Sequence, residues 1–428
     1  MTTYNKCKLN TVLLNLTRPL IVASALSILL SACGAGGTRQ QDANANSPNT
    51  NVENTNTNNA GTETTQISIP TDKPFYLGAD LSYVNEMEDC GASYQYQGEA
   101  IDPYLLFAQA GANIVRVRLW HTPAWTNYST LADVTRTIQR AHAAGMQVLL
   151  DIHYSDTWAD PEKQIIPAAW EHLYNDTDAL AAEVYQYTYD TLQSLQASDS
   201  LPQMVQVGNE INREVMQLPN NNSNENNDTS EPINWARNAT LINSGLRAVS
   251  DYNRNHNTVL NRVLHIAQPE NALLWFDAAF AAGVTEFDTI GLSYYAQWSS
   301  YPIEQVSNAI ATLRSKFSKP VVVVETAYPW TLNNFDDANN VLAENALVDG
   351  YSATPEHQKK YLFDLLSEIV DGDGSGLIYW EPAWVSTQCK TQWGTGSHWE
   401  NASFFDANNN NEALPAFDIF SIIRSAQQ

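Results

Sequence analysis

The chain has 428 residues, a formal charge of −25 at neutral pH, 12 Trp and 20 Tyr. Phosphate binding needs clustered Lys and Arg, so this balance argues against nucleic acid as a partner; the acidity itself reads as a solubilising surface rather than a site for cations. The aromatic content points to ligands with apolar faces, such as sugars, whose C–H faces stack on rings.

The first twenty residues carry Lys6, Lys8 and Arg18 and no acid, Ile21 to Leu30 is almost wholly apolar, and Ser31-Ala32-Cys33-Gly34 follows. A basic start, a short apolar run and small residues before a cut make a secretory signal too short to be a stable membrane span. Leu30-Ser31-Ala32-Cys33 resembles a bacterial lipobox, which implies cleavage before Cys33 and lipid on that residue. Gly34 rather than Asp after it favours the outer membrane, with the domain periplasmic or at the cell surface. An ordinary signal peptide with a coincidental cysteine is the alternative. Residues 33–66 are rich in Asn and Thr and poor in large apolar residues, so they cannot offset the entropy of ordering and read as a flexible tether. Residues 67–428 read as one domain, expected to be monomeric.

From residue 75 short apolar runs alternate with helix-like stretches. The runs are Phe75–Ala79, Ile114–Leu119, Gln147–Ile152, Met204–Gly208, Arg262–Ala267, Thr289–Ser293, Pro320–Val324 and Gly376–Trp380. Near-continuous apolar, β-branched runs suit strands buried on both faces of a parallel sheet. Helical spacing spans Leu131–Ala144, Ala179–Leu195, Trp235–Val249, Ile303–Phe317 and Pro355–Val370. Gly111, Gly145 and Gly283 stand where helix C-caps would want glycine. Eight alternating units predict an α/β fold of the closed (β/α)8 TIM-barrel type. An open doubly wound sheet is the alternative, and no GxGxxG or P-loop supports it.

Polar and aromatic residues gather where the runs end: Asp151-Ile152-His153, Asn209-Glu210, Ser293-Tyr294-Tyr295, Glu325-Thr326 and Trp380-Glu381. TIM barrels place active sites at these C-terminal strand ends. Glycoside cleavage needs two carboxyl groups flanking the scissile bond, and Glu210 and Glu325 each end an apolar run. One such acid alone would more readily be a partner for Arg116 or Arg118. Two of them, at strands four and seven, point to catalysis.

With Asn209 immediately before Glu210, this pattern resembles the clan of retaining TIM-barrel glycosidases. The finer resemblance is to glycoside hydrolase family 53, the arabinogalactan endo-β-1,4-galactanases. It rests on GADLSYVNEMEDCG from Gly78, GANIVRVRLW from Gly111, AAGMQVLLDIHYSDTWADPEKQ from Ala143, MVQVGNEIN from Met204, FDTIGLSYY from Phe287, VVVVETAYPWTL from Val321 and IYWEPAW from Ile378. The resemblance implies a retaining endo-galactanase cutting β-1,4-galactan in pectin side chains, with Glu210 as acid/base and Glu325 as nucleophile. It implies that Asn209 bonds the sugar 2-hydroxyl and that Arg116 keeps Glu325 ionised. His153 and Tyr295 are then expected to orient the nucleophile or the sugar, and Trp380 to floor the subsite beside the scissile bond. Trp158, Trp298, Trp330 and Trp384 lie in loops of the same face, and about half should touch sugar. Asp151, Asp156 and Trp158 are the candidates for reading the axial C4 hydroxyl. The same chemistry on another β-1,4-glycan, or a lipid-anchored glycan-binding protein, are the alternative functions.

The sequence departs from the family in an Asn-rich run from Asn220 to Asp228. No cofactor is required. Some bacterial relatives bind calcium in the loop after strand seven, where Asp336 and Asp337 are possible ligands here, although a solvated acidic turn is at least as good a reading. Asp371-Gly372-Asp373-Gly374 reads as a turn, lacking the bidentate Glu of an EF-hand loop. Cys90 follows strand one and Cys389 follows strand eight. Those strands are neighbours in a closed barrel, which predicts a disulfide in an oxidising compartment.

Overall fold

The structure is a computed structural model that describes residues 67–219 and 232–422. The signal segment, the tether with Cys33, and the Asn-rich run from Asn220 lie outside the described residues. Among those described, no helix is long and apolar enough to cross a membrane.

Eight parallel strands close into a barrel. They are β1 (Tyr76–Asp80), β2 (Ile114–Leu119), β3 (Gln147–Ile152), β4 (Met204–Val207), β5 (Asn261–Ala267), β6 (Thr289–Ser293), β7 (Val321–Glu325) and β8 (Gly376–Tyr379). β1 pairs with β8 on one side and β2 on the other, which closes the ring. All eight expected runs are strands, and their burial on both faces explains why they read as unbroken apolar stretches.

The interior is layered by the two-residue period of the strands. Ile114, Leu149, Met204, Val263, Val322, Val324 and Ile378 form an apolar plug. Two residues on towards the C-terminal ends stand Arg116, Asp151, Gln206 and His265, all buried. The barrel thus seals itself below and turns polar above, so the charged layer can only face the mouth.

Around the barrel run α1 (Pro103–Ala110), α2 (Leu131–Ala143), α3 (Thr177–Ala197), α4 (Trp235–His256), α5 (Pro269–Ala281), α6 (Val306–Phe317) and α7 (Pro355–Asp371). The sequence reading missed α1 and α5. PYLLFAQA and PENALLWFDAAFA are apolar almost all round, so no polar face marks their period. Their start signals were nonetheless present: each has proline in its first turn, and Asp102 caps α1 by accepting from the backbone N–H groups of Tyr104 and Leu105. Gly111, Gly145 and Gly283 all take positive φ, as helix ends require. The eighth helical position is filled by a 3-10 turn, Pro415–Phe420, packed against α7 and α1. Its Phe417 ring lies 4.8 Å from Phe107 and 5.4 Å from Phe404.

A disulfide joins Cys90 and Cys389, with Cα atoms 5.6 Å apart. It ties the loop after β1 to the loop after β8, both on the C-terminal face. Asp373, in the turn before β8, pairs with Lys73 and Arg314, consistent with a plain turn.

Candidate active site

Arg116 on β2 organises the mouth. One guanidinium reaches Asp80 Oδ2, Asp151 Oδ2 and Glu325 Oε1, each at 2.8 Å, and also donates to Asn209 Oδ1 at 2.8 Å. A buried charge is tolerable only when paired and fully hydrogen-bonded, and Arg116 is 1% exposed. One layer higher, Arg118 pairs with Glu381 at 2.6 Å. Its guanidinium carbon lies 4.2 Å from the centre of the Tyr83 ring and 4.3 Å from that of Trp158. Glu381 at the tip of β8 is thus an arginine partner.

Two local distortions bring the glutamates in. Strict alternation after Val322 and Val324 would send Glu325 to the helix side. The β6–β7 register slips instead, from Leu292 opposite Val323 to Ser293 opposite Glu325, and this irregularity turns Glu325 inward. Glu210 leaves β4 through Gly208, whose φ is 86°, and itself sits at φ 43°. That region is costly for a residue with a Cβ and concentrates at functional sites. The Asn209-Glu210 turn is held by Gln164, whose Nε2 donates to both carbonyls, at 2.9 and 3.2 Å.

The two carboxyls meet at Ser293. Its Oγ is 2.5 Å from Glu210 Oε1 and 3.5 Å from Glu325 Oε2. These contacts through one atom keep the two oxygens within about 6 Å of each other, the spacing of retaining rather than inverting glycosidases. Tyr295 donates to Glu325 Oε2 at 3.0 Å. Burial, opposed chiefly by Arg116, pushes Glu325 up to about 7. Burial and then the charge of Glu325 push Glu210 well above the ordinary carboxyl range. Among the described residues no ion pair reaches Glu210, whereas Arg116 touches Glu325, so Glu325 ionises first and Glu210 holds the proton.

Around the pair the ring contacts run in sequence. Trp125 lies 4.9 Å from Trp393, Trp393 6.3 Å from Trp158 and Trp158 5.7 Å from Trp380. Trp380 lies 4.6 Å from Trp399, Trp399 6.1 Å from Tyr295 and Tyr295 5.1 Å from Trp298. A concavity of about 850 Å³ occurs at the opposite face, lined by Tyr76, Gln147, Gln203, Asn261, Arg262 and Asp288 at the starts of strands. Asp288 is the lone acid of its lining, so it holds no acid pair, and the chemistry locates the site at the mouth.

The sequence profile of Glycosyl hydrolase family 53 matches residues 76–420, from the first strand of the barrel to the last 3-10 turn. The chain belongs to glycosyl hydrolase family 53. It is 56% identical over 352 residues to an arabinogalactan endo-β-1,4-galactanase of Cellvibrio japonicus, covering 82% of this chain and 92% of that protein. It is 31% identical to an endo-β-1,4-galactanase of Bacillus subtilis, covering 77% of each. Among solved structures, the family 53 catalytic domain of Ignisphaera aggregans superposes with a TM-score of 0.72 at 30% identity, over 83% of this chain and 97% of that one.

Within this family 53 barrel several expectations need correction. Asp151 does not reach sugar. It is fully buried, and its oxygens are taken by Arg116, by His153 Nε2 at 2.9 Å and by Gln206. Burial raises its pKa, but Arg116 and His153 hold it below the ordinary range. Asp156 uses both oxygens on backbone N–H groups, of Thr122 and Ala168, each at 2.9 Å. It pins the loops that carry Thr122 and Ala168. His153 is buried between Asp151 and the Ala159 N–H. Of the loop tryptophans, Trp330 and Trp384 are packing residues: Trp330 stacks on Phe335 and Trp384 on Tyr83. Trp298 is 48% exposed and Trp158 is half-buried, so both remain open to a ligand.

No grouping of three or more His, Cys, Asp or Glu is placed to hold a metal among the described residues. Asp336 Oδ1 accepts from the Ala338 N–H and Oδ2 from Ser386 Oγ and the Ser397 N–H. The sequence reading did not single out Asp80, Gln206 or His265, and placed Ser293 at a strand end without giving it a role. A signal existed for His265: it is the lone titratable residue between apolar neighbours in VLHIA, on the inward period of β5.

Proposed function

We propose that this chain is a retaining arabinogalactan endo-β-1,4-galactanase that uses Glu325 as nucleophile and Glu210 as acid/base. The carrying observation is the serine hydroxyl within reach of both carboxyls, which keeps their facing oxygens within about 6 Å, in keeping with the close spacing of a retaining pair. The substrate class rests on membership of family 53 and on the 56% identity to the Cellvibrio galactanase. The row of rings supports a chain of sugars rather than a single residue.

In the first step Glu325 attacks the anomeric carbon while Glu210 passes its proton to the departing glycosidic oxygen. The ester so formed removes the charge on residue 325. The repulsion that raised Glu210 then disappears, and the new carboxylate takes a proton from the water that hydrolyses the ester. Asn209, with its carbonyl held by Arg116 and Nδ2 donating to the Ala159 carbonyl, stands beside the reacting carbon to bond the 2-hydroxyl. Trp380 supplies the floor.

Reducing-sugar release from a panel of linear polysaccharides tests the substrate. We expect rapid shortening of β-1,4-galactan into oligomers with retained anomeric configuration. Strong hydrolysis of glucomannan with galactan left intact would assign the same chemistry to another polymer.

Export and anchoring belong to the same proposal. Cys33, after the apolar segment, is read as the lipidated residue of an outer-membrane lipoprotein, with the barrel acting alone as a monomer. Labelled palmitate should enter the full-length chain and be lost in Cys33→Ala; equal labelling of both would refute the anchor.

A further inference from the structure

His265 and Ser293 form a directed line of donors ending on Glu210. The backbone N–H of Glu210, buried within the turn, donates to His265 Nδ1 at 3.4 Å, and a buried N–H must find an acceptor. Gln206 Nε2 also approaches Nδ1, at 3.1 Å. Asn209 Oδ1, 3.0 Å from the same nitrogen, already accepts from Arg116, whereas the Glu210 N–H needs the ring nitrogen as its acceptor. His265 Nδ1 is therefore bare and the ring proton sits on Nε2. Burial holds this ring well below its ordinary pKa, so it carries one proton. Nε2 is 2.8 Å from Ser293 Oγ and donates to it. The serine has one proton to give, and of the two carboxyl oxygens within reach Glu210 Oε1 at 2.5 Å is nearer than Glu325 Oε2 at 3.5 Å.

We propose that His265 and Ser293 are positioning residues that reserve Oε1 of Glu210 as an acceptor and so place the catalytic proton on Oε2. A carboxyl oxygen that receives a short hydrogen bond does not also hold a proton in that direction. The acid is thereby kept from spending its proton on the protein instead of on the leaving oxygen. This rests on the reading of Glu210 as the acid. The charged groups that act on Glu210 from other elements are Glu325 on β7, Asp160 after β3 and Arg116 on β2, and none of them contacts Oε1. Tyr295, the other hydroxyl at this site, serves Glu325 Oε2.

Two measurements test the proposal. In nitrogen-15 NMR of histidine-labelled protein, the ring signal lost in a His265→Gln variant should be that of a neutral imidazole protonated at Nε2. A ring protonated at Nδ1 would reverse the line of donors and overturn the proposal. Ser293→Ala should lower kcat on galactan about 10- to 100-fold, within the range of general-acid contributions. It should change glycosylation by a dinitrophenyl galactobioside less than threefold, because that leaving group needs no proton. The basic limb of kcat/KM should move to higher pH, since a donor that favours the carboxylate has been removed. Ser293→Thr should recover most of the loss. Equal losses on both substrates at an unchanged basic limb, with the melting temperature preserved, would make Ser293 merely structural. A wild-type protein inactive on galactan but showing the Nε2 tautomer would sink the substrate reading and leave the donor line standing.

Discussion

Glu325→Ala is expected to abolish galactan hydrolysis, with kcat falling by a factor on the order of 10⁵ to 10⁶, the scale of losing a covalent nucleophile. Nothing nearby replaces it. Asp151 and Asp80 are fully buried and paired with Arg116, and Glu381 is held by Arg118. The deletion also leaves Arg116 beside an empty space able to take a small anion. Added azide should restore cleavage of an activated aryl galactoside and yield the α-galactosyl azide, because the anion attacks from the face that Glu325 occupied. A variant that still cleaves galactan at near wild-type rate would show that the wrong carboxyl has been assigned.

Glu210→Ala separates from it by leaving group. Galactan cleavage should fall by about 10²- to 10⁴-fold, the usual contribution of a general acid. The first step on dinitrophenyl galactosides should fall far less, and azide should now yield the β-galactosyl azide, formed by attack on the glycosyl-enzyme. The same pair sets the pH dependence. Glu325 must be ionised, so activity is lost as pH falls through its raised pKa, near 7. Glu210 must hold a proton, so activity is lost as pH rises through its own, which lies well above the ordinary value. Wild-type kcat/KM should trace a bell displaced upward from the ordinary carboxyl range, and Glu210→Ala should lose the basic limb. Persistence of that limb in the variant would assign it to another group, with the buried Tyr295 on Glu325 the first to examine.

Much of this site is legible before any coordinates. The apolar runs carry β-branched residues because each strand is buried on both faces, and their polar ends stand out because a sealed barrel tolerates acids only at its mouth. That contrast marks residues 210 and 325, and the Asn209-Glu210 doublet narrows the chemistry. Cys90 and Cys389 pair because neighbouring strands in a closed ring bring their loops together. Helices α1 and α5 were not legible, since apolar residues such as Leu105 and Leu274 stand even on their exposed sides and no polar face gives the period away.

The sequence by itself determined the barrel, the two glutamates at its rim and the family. These depend on local patterns: run length, residue type and spacing along the chain. Only the tertiary structure decided how Glu325 enters the site, because alternation along VVVVE points it outward and the slip between β6 and β7 turns it back. It also decided that Arg116 is divided among Asp80, Asp151, Glu325 and Asn209, that Asp151 is buried in that network, and that one serine hydroxyl stands between the two carboxyls. Each of these joins residues from different strands. Their distances are set by the closure and register of the whole ring, which no stretch of sequence contains.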